Sequence, residues 1–231
     1  MERDLHRRIL DISYKEKLSH IGSCLSAVDA IEAVYQIKRP EDKFVLSNGH
    51  AALALYTVLE KYHPNATKSF AEELLHKHGV HPNRDTKNGL EVSTGSLGQG
   101  LPIALGMAMA SPEKRIYCMV SDGEMAEGSV WEALAIGEEQ NITNLKIICN
   151  ANGYGAYRDV DEEKLIKSVA GFGWQVDCVN GHNIEEIKQS LEVVSPFPHF
   201  ILARTISDTS FSRGLDSHYK VMNEEDYLKT K

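Results

Sequence analysis

Cysteine is sparse and unpaired in this sequence. Cys24, Cys118, Cys149 and Cys178 are scattered over 231 residues without a Cys-x-x-Cys step, which removes the usual zinc-ribbon and dithiol signatures. Cys118 and Cys149 stand in apolar runs that read as strands, so reduced core thiols are expected rather than disulfides. No apolar run approaches the ~20 residues of a membrane helix. The chain is charged from its second residue and shows no secretory leader, so a soluble, cytoplasmic protein away from membranes is expected. Basic charge is short as well. Lys and Arg number 25 against 33 Asp and Glu, and a net charge of −8 argues against a nucleic-acid surface, where phosphates need compensating cations. Internal repeats, low-complexity stretches and linkers are missing too, so residues 1–231 read as one domain.

What is present is ordinary globular material: 42% hydrophobic and 25% charged residues, enough for one substantial core. Helical spacing runs from Glu2 to Ser19 through Leu5, Ile9 and Ile12. Gly22 is read as a break, and Ser26 as the cap of a second helix through Ile37, with Asp29 three residues on as in a capping box. A short strand Lys43–Leu46 leads to helices over His50–Lys61 and Ser69–His78. Gly79 to Gly98 has no period, and a loop of that length inside a compact domain is usually functional or disordered. After a buried helix Gln99–Ala110, strand and helix alternate. The strands are Arg115–Val120, Leu145–Cys149, Trp174–Val179 and His199–Ala203; the helices are Ala126–Gln140, Glu162–Phe172 and Ile184–Val194. Such alternation predicts an α/β, doubly wound, mostly parallel sheet with helices on both faces. The tail after Thr205 reads as irregular, with a polar helical stretch from Asn223.

Ligands of such sheets sit at the carboxyl ends of the strands. Three unusual clusters fall there: Ser47-Asn48-Gly49-His50, Ser121-Asp122-Gly123-Glu124 and Asn150-Ala151-Asn152-Gly153. A carboxylate at a strand end followed by glycine can hold a hard cation while the backbone approaches a phosphate. An amide oxygen thirty positions later, at Asn152, would complete an oxygen site of the kind Mg²⁺ favours. Taken singly, Asp-Gly and Asn-Gly are commoner as plain turns.

Together, Ser121-Asp122-Gly123, 26 residues and Asn150-Ala151-Asn152 resemble the motif that binds thiamine diphosphate through Mg²⁺, with Ser121 in place of the family's first glycine. Three further segments resemble transketolases in the transketolase order: Ser19-His20-Ile21-Gly22, Leu46-Ser47-Asn48-Gly49-His50 and Thr94-Gly95-Ser96-Leu97-Gly98-Gln99-Gly100. The resemblance covers nearly this whole chain but about the first third of a full-length transketolase. It implies a metal (Mg²⁺, or Ca²⁺ or Mn²⁺) held by Asp122, Asn152 and the carbonyl of Tyr154. It places His50, Gly95, Leu97, Gly98, Gly123, Glu124, Asn152 and His218 at the cofactor, and His20 and His81 at the substrate. Glu127 and Glu132 match carboxylates that link paired active sites at the family's subunit interface, Glu127 in a catalytic part. Around His218 the pattern departs: Leu215 stands at the first of two histidine positions and Tyr219 replaces a glycine.

The family's pyrimidine-activating glutamate and its grip on a substrate phosphate lie in domains that have no counterpart here. The resemblance therefore implies a separate C-terminal transketolase subunit carrying that glutamate, in a two-plus-two heterotetramer. The implied reaction is transfer of a two-carbon ketol unit from a ketose to an aldose, as sugars or sugar phosphates. Other thiamine-diphosphate reactions (a deoxyxylulose-type synthase, a 2-oxoacid decarboxylating component) and a non-catalytic cofactor-binding homologue are the alternatives. An NAD-type fold is disfavoured, because no Gly-x-Gly-x-x-Gly turn follows the first strand.

Overall fold

The computed structural model describes residues 4–155, 159–214 and 216–231. Its strands are β1 (Lys43–Leu46), β2 (Ile116–Ser121), β3 (Leu145–Ala151), β4 (Gln175–Asn180) and β5 (His199–Arg204). They form one sheet in the order β1-β2-β3-β5-β4, with every pairing parallel. The helices are α1 (Leu5–Glu16), α2 (Ile21–Ile37), α3 (Ala52–Tyr62), α4 (Phe70–His78), α5 (Gly100–Ala110), α6 (Gly128–Glu139), α7 (Glu162–Gly171), α8 (Ile184–Leu191), α9 (Asp216–Tyr219) and α10 (Glu224–Leu228).

The strands read as continuous apolar runs because both faces of the sheet are covered. Tyr117, Met119, Ile148 and Ile201 pack into a core with α1 to α4 and α8. Their neighbours Cys118, Val120, Ile147, Cys149 and Leu202 point the other way, into a core with α5, α6 and α7. All four cysteines are free, and only Cys178, on the edge strand β4, is exposed. No helix among the described residues is long and apolar enough to cross a membrane.

The start of α2 corrects the sequence reading. The helix begins at Ile21, directly after His20, whose backbone is left-handed at φ 60° and makes no side-chain cap. Gly22 lies inside the first turn, where an added Cβ would come 2.5 Å from the Ser207 carbonyl oxygen and 2.8 Å from Ser217 Cβ. Glycine is there for close packing, and breaks nothing. Ser26 is no cap: its hydroxyl donates to the Ser23 carbonyl and accepts from Asn150 Nδ2. Asp29 is engaged by His182 instead of a backbone amide.

Smaller differences follow from capping. Asp4 caps α1 by accepting from the Arg7 amide, and Lys17 ends it in a left-handed turn; the start expected at Glu2 lies outside the described residues. A 3-10 turn over Gly123–Ala126 precedes α6, so that helix starts two residues later than its pattern suggested. The tail is more ordered than its composition indicated. It contains α9, and α10 is closed by a capping box between Asn223 and Asp226. Tyr227 stacks on Tyr14 with centroids 4.2 Å apart and donates to Asp11, tying the tail back onto α1. Leu215 lies outside the described residues.

The aperiodic stretch 79–98 is pinned at several points. Asp85 and Leu90 bridge antiparallel, the Thr94 amide donates to the Pro82 carbonyl, and Thr94 Oγ1 donates to the Leu46 carbonyl at 2.7 Å. Asp85 accepts from Lys77 at 2.6 Å, Asn88 at 2.7 Å and His78 at 3.2 Å. Lys77 foremost holds its carboxyl down at about 2, against an ordinary 3.8. The folded form therefore gains stability from Asp85 that is complete above the unfolded value and lost as pH falls through about 2. Acid titration of Asp85→Asn should show that increment gone, on the order of 1 kcal/mol given the solvent-screened Lys77.

Candidate functional site

The ends of β1, β2 and β3 lie side by side, and with them the three polar clusters of the sequence. Asp122 follows β2 and is buried, its side chain held between two backbone amides. Gly123 N–H donates to Oδ1 at 2.9 Å and Gly153 N–H to Oδ2 at 2.7 Å. Burial nevertheless outweighs those bonds and pushes the carboxyl up to about 6. Asn152 Oδ1 accepts from the Tyr154 amide at 3.1 Å. Carboxylate and amide oxygens accept more than one bond, which leaves them capacity for a cation. A nearby cation would also offset the burial that raises Asp122. The donor set is hard oxygen with one carboxylate, which fits Mg²⁺ shared with a diphosphate. Ser121 sits at ordinary negative φ, and its hydroxyl accepts from the Glu124 amide at 3.2 Å. Nothing at this position demands glycine.

Glu124 is fully buried and joins the three loops. Its Oε1 accepts from Ser47 Oγ at 2.6 Å and from the Gly98 amide at 2.7 Å. Oε2 has no partner, and burial raises the carboxyl above its usual range. Glu124 thus faces inward as a brace between the ends of β1 and β2 and the Gly95–Gly100 loop. The loop packs too closely for side chains at its glycines. A Cβ on Gly98, at φ +82°, would meet Ser129 Oγ at 2.6 Å and Glu127 Cβ at 2.7 Å, and one on Gly100 would meet Ser47 Cα at 2.5 Å. Asn48 is buried beside them, with both amide atoms unpartnered.

Four histidines from four distant stretches converge on the cleft. The His20 ring lies 5.7 Å from His50, 6.4 Å from His81 and 6.4 Å from His218, and His50 lies 6.2 Å from His218. The left-handed turn at His20 aims its ring there, with Ser19 Oγ 2.9 Å from Nδ1. Its amide donates to the His218 carbonyl at 2.8 Å. Gly95 has room for His81 because it lacks a side chain; an added Cβ would be 3.1 Å from the ring. Burial lowers His20, His50 and His218, with the other histidines adding to the effect on His20 and His50; His50 falls to about 3. These three rings are neutral near pH 7. His218 Nδ1 is buried and unpartnered.

Not every residue named from the sequence joins this group. Glu127 packs behind Gly98 and is exposed, and Glu132 lies on the exposed face of α6. Leu97 is half-buried on the Gly95–Gly98 turn. Three contributors had no role assigned from the sequence. Ser19 orients His20, and the Tyr219 ring lies 6.3 Å from that of His20. Thr205 donates to Asn150 Oδ1 at 2.6 Å and so fixes the strand end before the Asn152 turn. Contact across the fold reveals Tyr219 and Thr205, whereas Ser19 acts on its chain neighbour.

Fold and site define the class first: a parallel α/β domain with two buried carboxylates, Asp122 and Glu124, and clustered neutral imidazoles at the carboxyl ends of β1 to β3. A family model described as transketolase, thiamine diphosphate binding domain matches residues 7–231. The chain belongs to this transketolase N-terminal family.

It is 31% identical to an apulose-4-phosphate transketolase subunit of Phocaeicola vulgatus, with 96% of this chain and 88% of that protein covered. It is 32% identical to the 6-deoxy-6-sulfo-D-fructose transketolase subunit SqwG of a Clostridium species, covering 90% and 85%. Human transketolase is 33% identical over 80% of this chain, which spans 33% of that protein. Among solved structures, Campylobacter jejuni transketolase superposes with a TM-score of 0.82 at 25% identity, covering 98% of this chain and 42% of the other. The chain thus spans less than half the length of the single-chain transketolases it matches.

Proposed function

We propose that this chain is the cofactor-diphosphate-binding subunit of a two-subunit transketolase, transferring a two-carbon ketol unit between a ketose and an aldose. The observation that carries this reading is the coverage of the relatives that are named as transketolase subunits: 88% and 85% of their lengths, against 33% of human transketolase. The partner would be a separate C-terminal subunit bringing the pyrimidine-activating glutamate, in a two-plus-two assembly in the cytoplasm. Ile103 and Met109 of α5 and Ile136 of α6 are exposed apolar side chains, which an assembly could bury.

When bound, thiamine diphosphate with its divalent ion supplies the nucleophilic carbon that cleaves and re-forms the sugar C–C bond. Asp122, Asn152 and the Tyr154 carbonyl would hold the ion. His50 and the Gly123 backbone would meet the diphosphate, and Leu97 with Gly95 and Gly98 would line the rings. His20 and His81 would face substrate hydroxyls, with His218 beside the cofactor. His20, lowered by burial, can accept a hydroxyl proton at neutral pH. His50, at about 3 in the free chain, would serve as a neutral hydrogen-bond donor until diphosphate charge raises it. Glu127 and Glu132 would lie between paired copies.

Calorimetric titration of thiamine diphosphate and Mg²⁺ tests the reading on this chain alone and on its mixture with the partner. Binding should strengthen sharply in the mixture, and ketol transfer should appear only there. High transketolase activity from the single chain would refute the split. Product analysis with a ketose donor against pyruvate separates ketol transfer from a synthase or decarboxylase.

A further inference from the structure

Away from the cleft, Asp29 of α2 meets His182 from the turn after β4. His182 Nδ1 is 2.8 Å from Asp29 Oδ2, and its Nε2 accepts the Ile206 backbone N–H at 2.9 Å. An amide N–H can only donate, so Nε2 carries no proton and Nδ1–H points at the carboxylate. His6 Nε2 lies 3.4 Å from the same Asp29 oxygen. These three residues have the composition of a metal site, since their ligand atoms lie within 4.8 Å of one another. The Ile206 bond argues against it: a metal on Nδ1 would force the proton onto Nε2, against another N–H.

The bond to Ile206 holds one end of a segment whose other end is in the cleft. Gly181, next to His182, is pressed against the same strand end, since a Cβ there would meet Thr205 Cγ2 at 2.3 Å. Beyond Ile206, Ser207 is buried beneath Gly22, its carbonyl within 2.5 Å of where a Cβ would stand. Ser217 Oγ contacts Ser207 Oγ at 3.4 Å, and the next residue, His218, accepts the His20 amide. Asp29 thus connects through His182, Ile206, Ser207 and Ser217 to two of the clustered imidazoles. Burial works against the Asp29 carboxylate, yet the hydrogen bonds from His182 and His6 hold it below the ordinary range, so it is an anion available to fix the tautomer.

We propose that Asp29 and His182 are positioning residues: the pair clamps the backbone at Ile206 and thereby sets His218 against His20 in the cleft. They touch neither substrate nor cofactor. The inference rests on the transketolase reading only for its kinetic consequence.

The test uses the two-chain assembly with His182→Ala, His182→Gln and Asp29→Asn. Glutamine can still accept from Ile206 and donate to Asp29. In His182→Ala the Ile206 amide should lose its protection from hydrogen exchange, and the ring-proton NMR signals of His20 and His218 should move. Turnover at saturating cofactor should fall about 100-fold, the scale of a roughly 1 Å misplacement, with less change in KM. His182→Gln should restore the signals and most of the turnover, and Asp29→Asn should fall between. Unmoved His20 and His218 signals in His182→Ala would overturn the proposal, as would uptake of one zinc ion per chain that His182→Ala abolishes. The NMR readout does not depend on sugar turnover. An inactive wild-type assembly whose His20 and His218 signals still move on His182→Ala would count against the transketolase reading and in favour of the clamp.

Discussion

Asp122→Asn should leave the chain folded and sharply weaken its binding of thiamine diphosphate with Mg²⁺. The substitution keeps the shape of the side chain. Its amide oxygen can still accept from either Gly123 or Gly153, so the turn after β2 keeps an anchor. What goes is the one carboxylate of the proposed oxygen site, and its negative charge with it. Removing one partner of a buried charge contact costs about 2–5 kcal/mol, so binding should weaken by more than tenfold and reach several thousandfold at the upper limit. Circular dichroism and thermal unfolding check that the fold survives; calorimetry with the partner present checks the loss. Unchanged affinity in Asp122→Asn would sink the assignment of this carboxylate.

Glu124→Ala should damage the fold and the cleft together. Truncation strands the Ser47 hydroxyl and the Gly98 amide, both buried around Oε1. Each unsatisfied buried group costs about 1–3 kcal/mol, and the vacated volume adds to that. A loss of about 3–6 kcal/mol is a large share of a domain's stability. Glu124→Gln provides the contrast. Its carbonyl oxygen can accept both bonds, and it is free of the burial that raises the Glu124 carboxyl. Denaturant unfolding should therefore rank Glu124→Gln near the wild type at neutral pH and Glu124→Ala far below it. If the two variants were equally unstable, the brace would not depend on the hydrogen bonds described.

Much of this was legible along the chain because it is local. Strand and helix alternation follows from runs of apolar residues and their caps, and β1, β3 and β5 begin where the composition placed them. The Asn223 cap of α10 is of the same kind. The start of α2 shows where local reading fails. Gly22 reads as a helix breaker on its own, but its missing Cβ is a matter of what crosses beneath it, Ser207 and Ser217, from the far end of the chain. Ser26 and Asp29 have the spacing of a cap, yet Asn150 and His182 are the partners that claim them.

The sequence by itself determined the parallel α/β architecture and the chemical types at the strand ends: carboxylates, side-chain amides, imidazoles and the glycines between them. Those depend on residue identity and short spacing. Tertiary structure alone decided which of them meet. The crossovers of a parallel sheet bring His20, His50, His81 and His218 within one cleft although their segments are far apart. Burial there then sets their charge, raising Asp122 and Glu124 and keeping His20, His50 and His218 neutral. Desolvation depends on everything packed around a group, and no stretch of sequence carries that information.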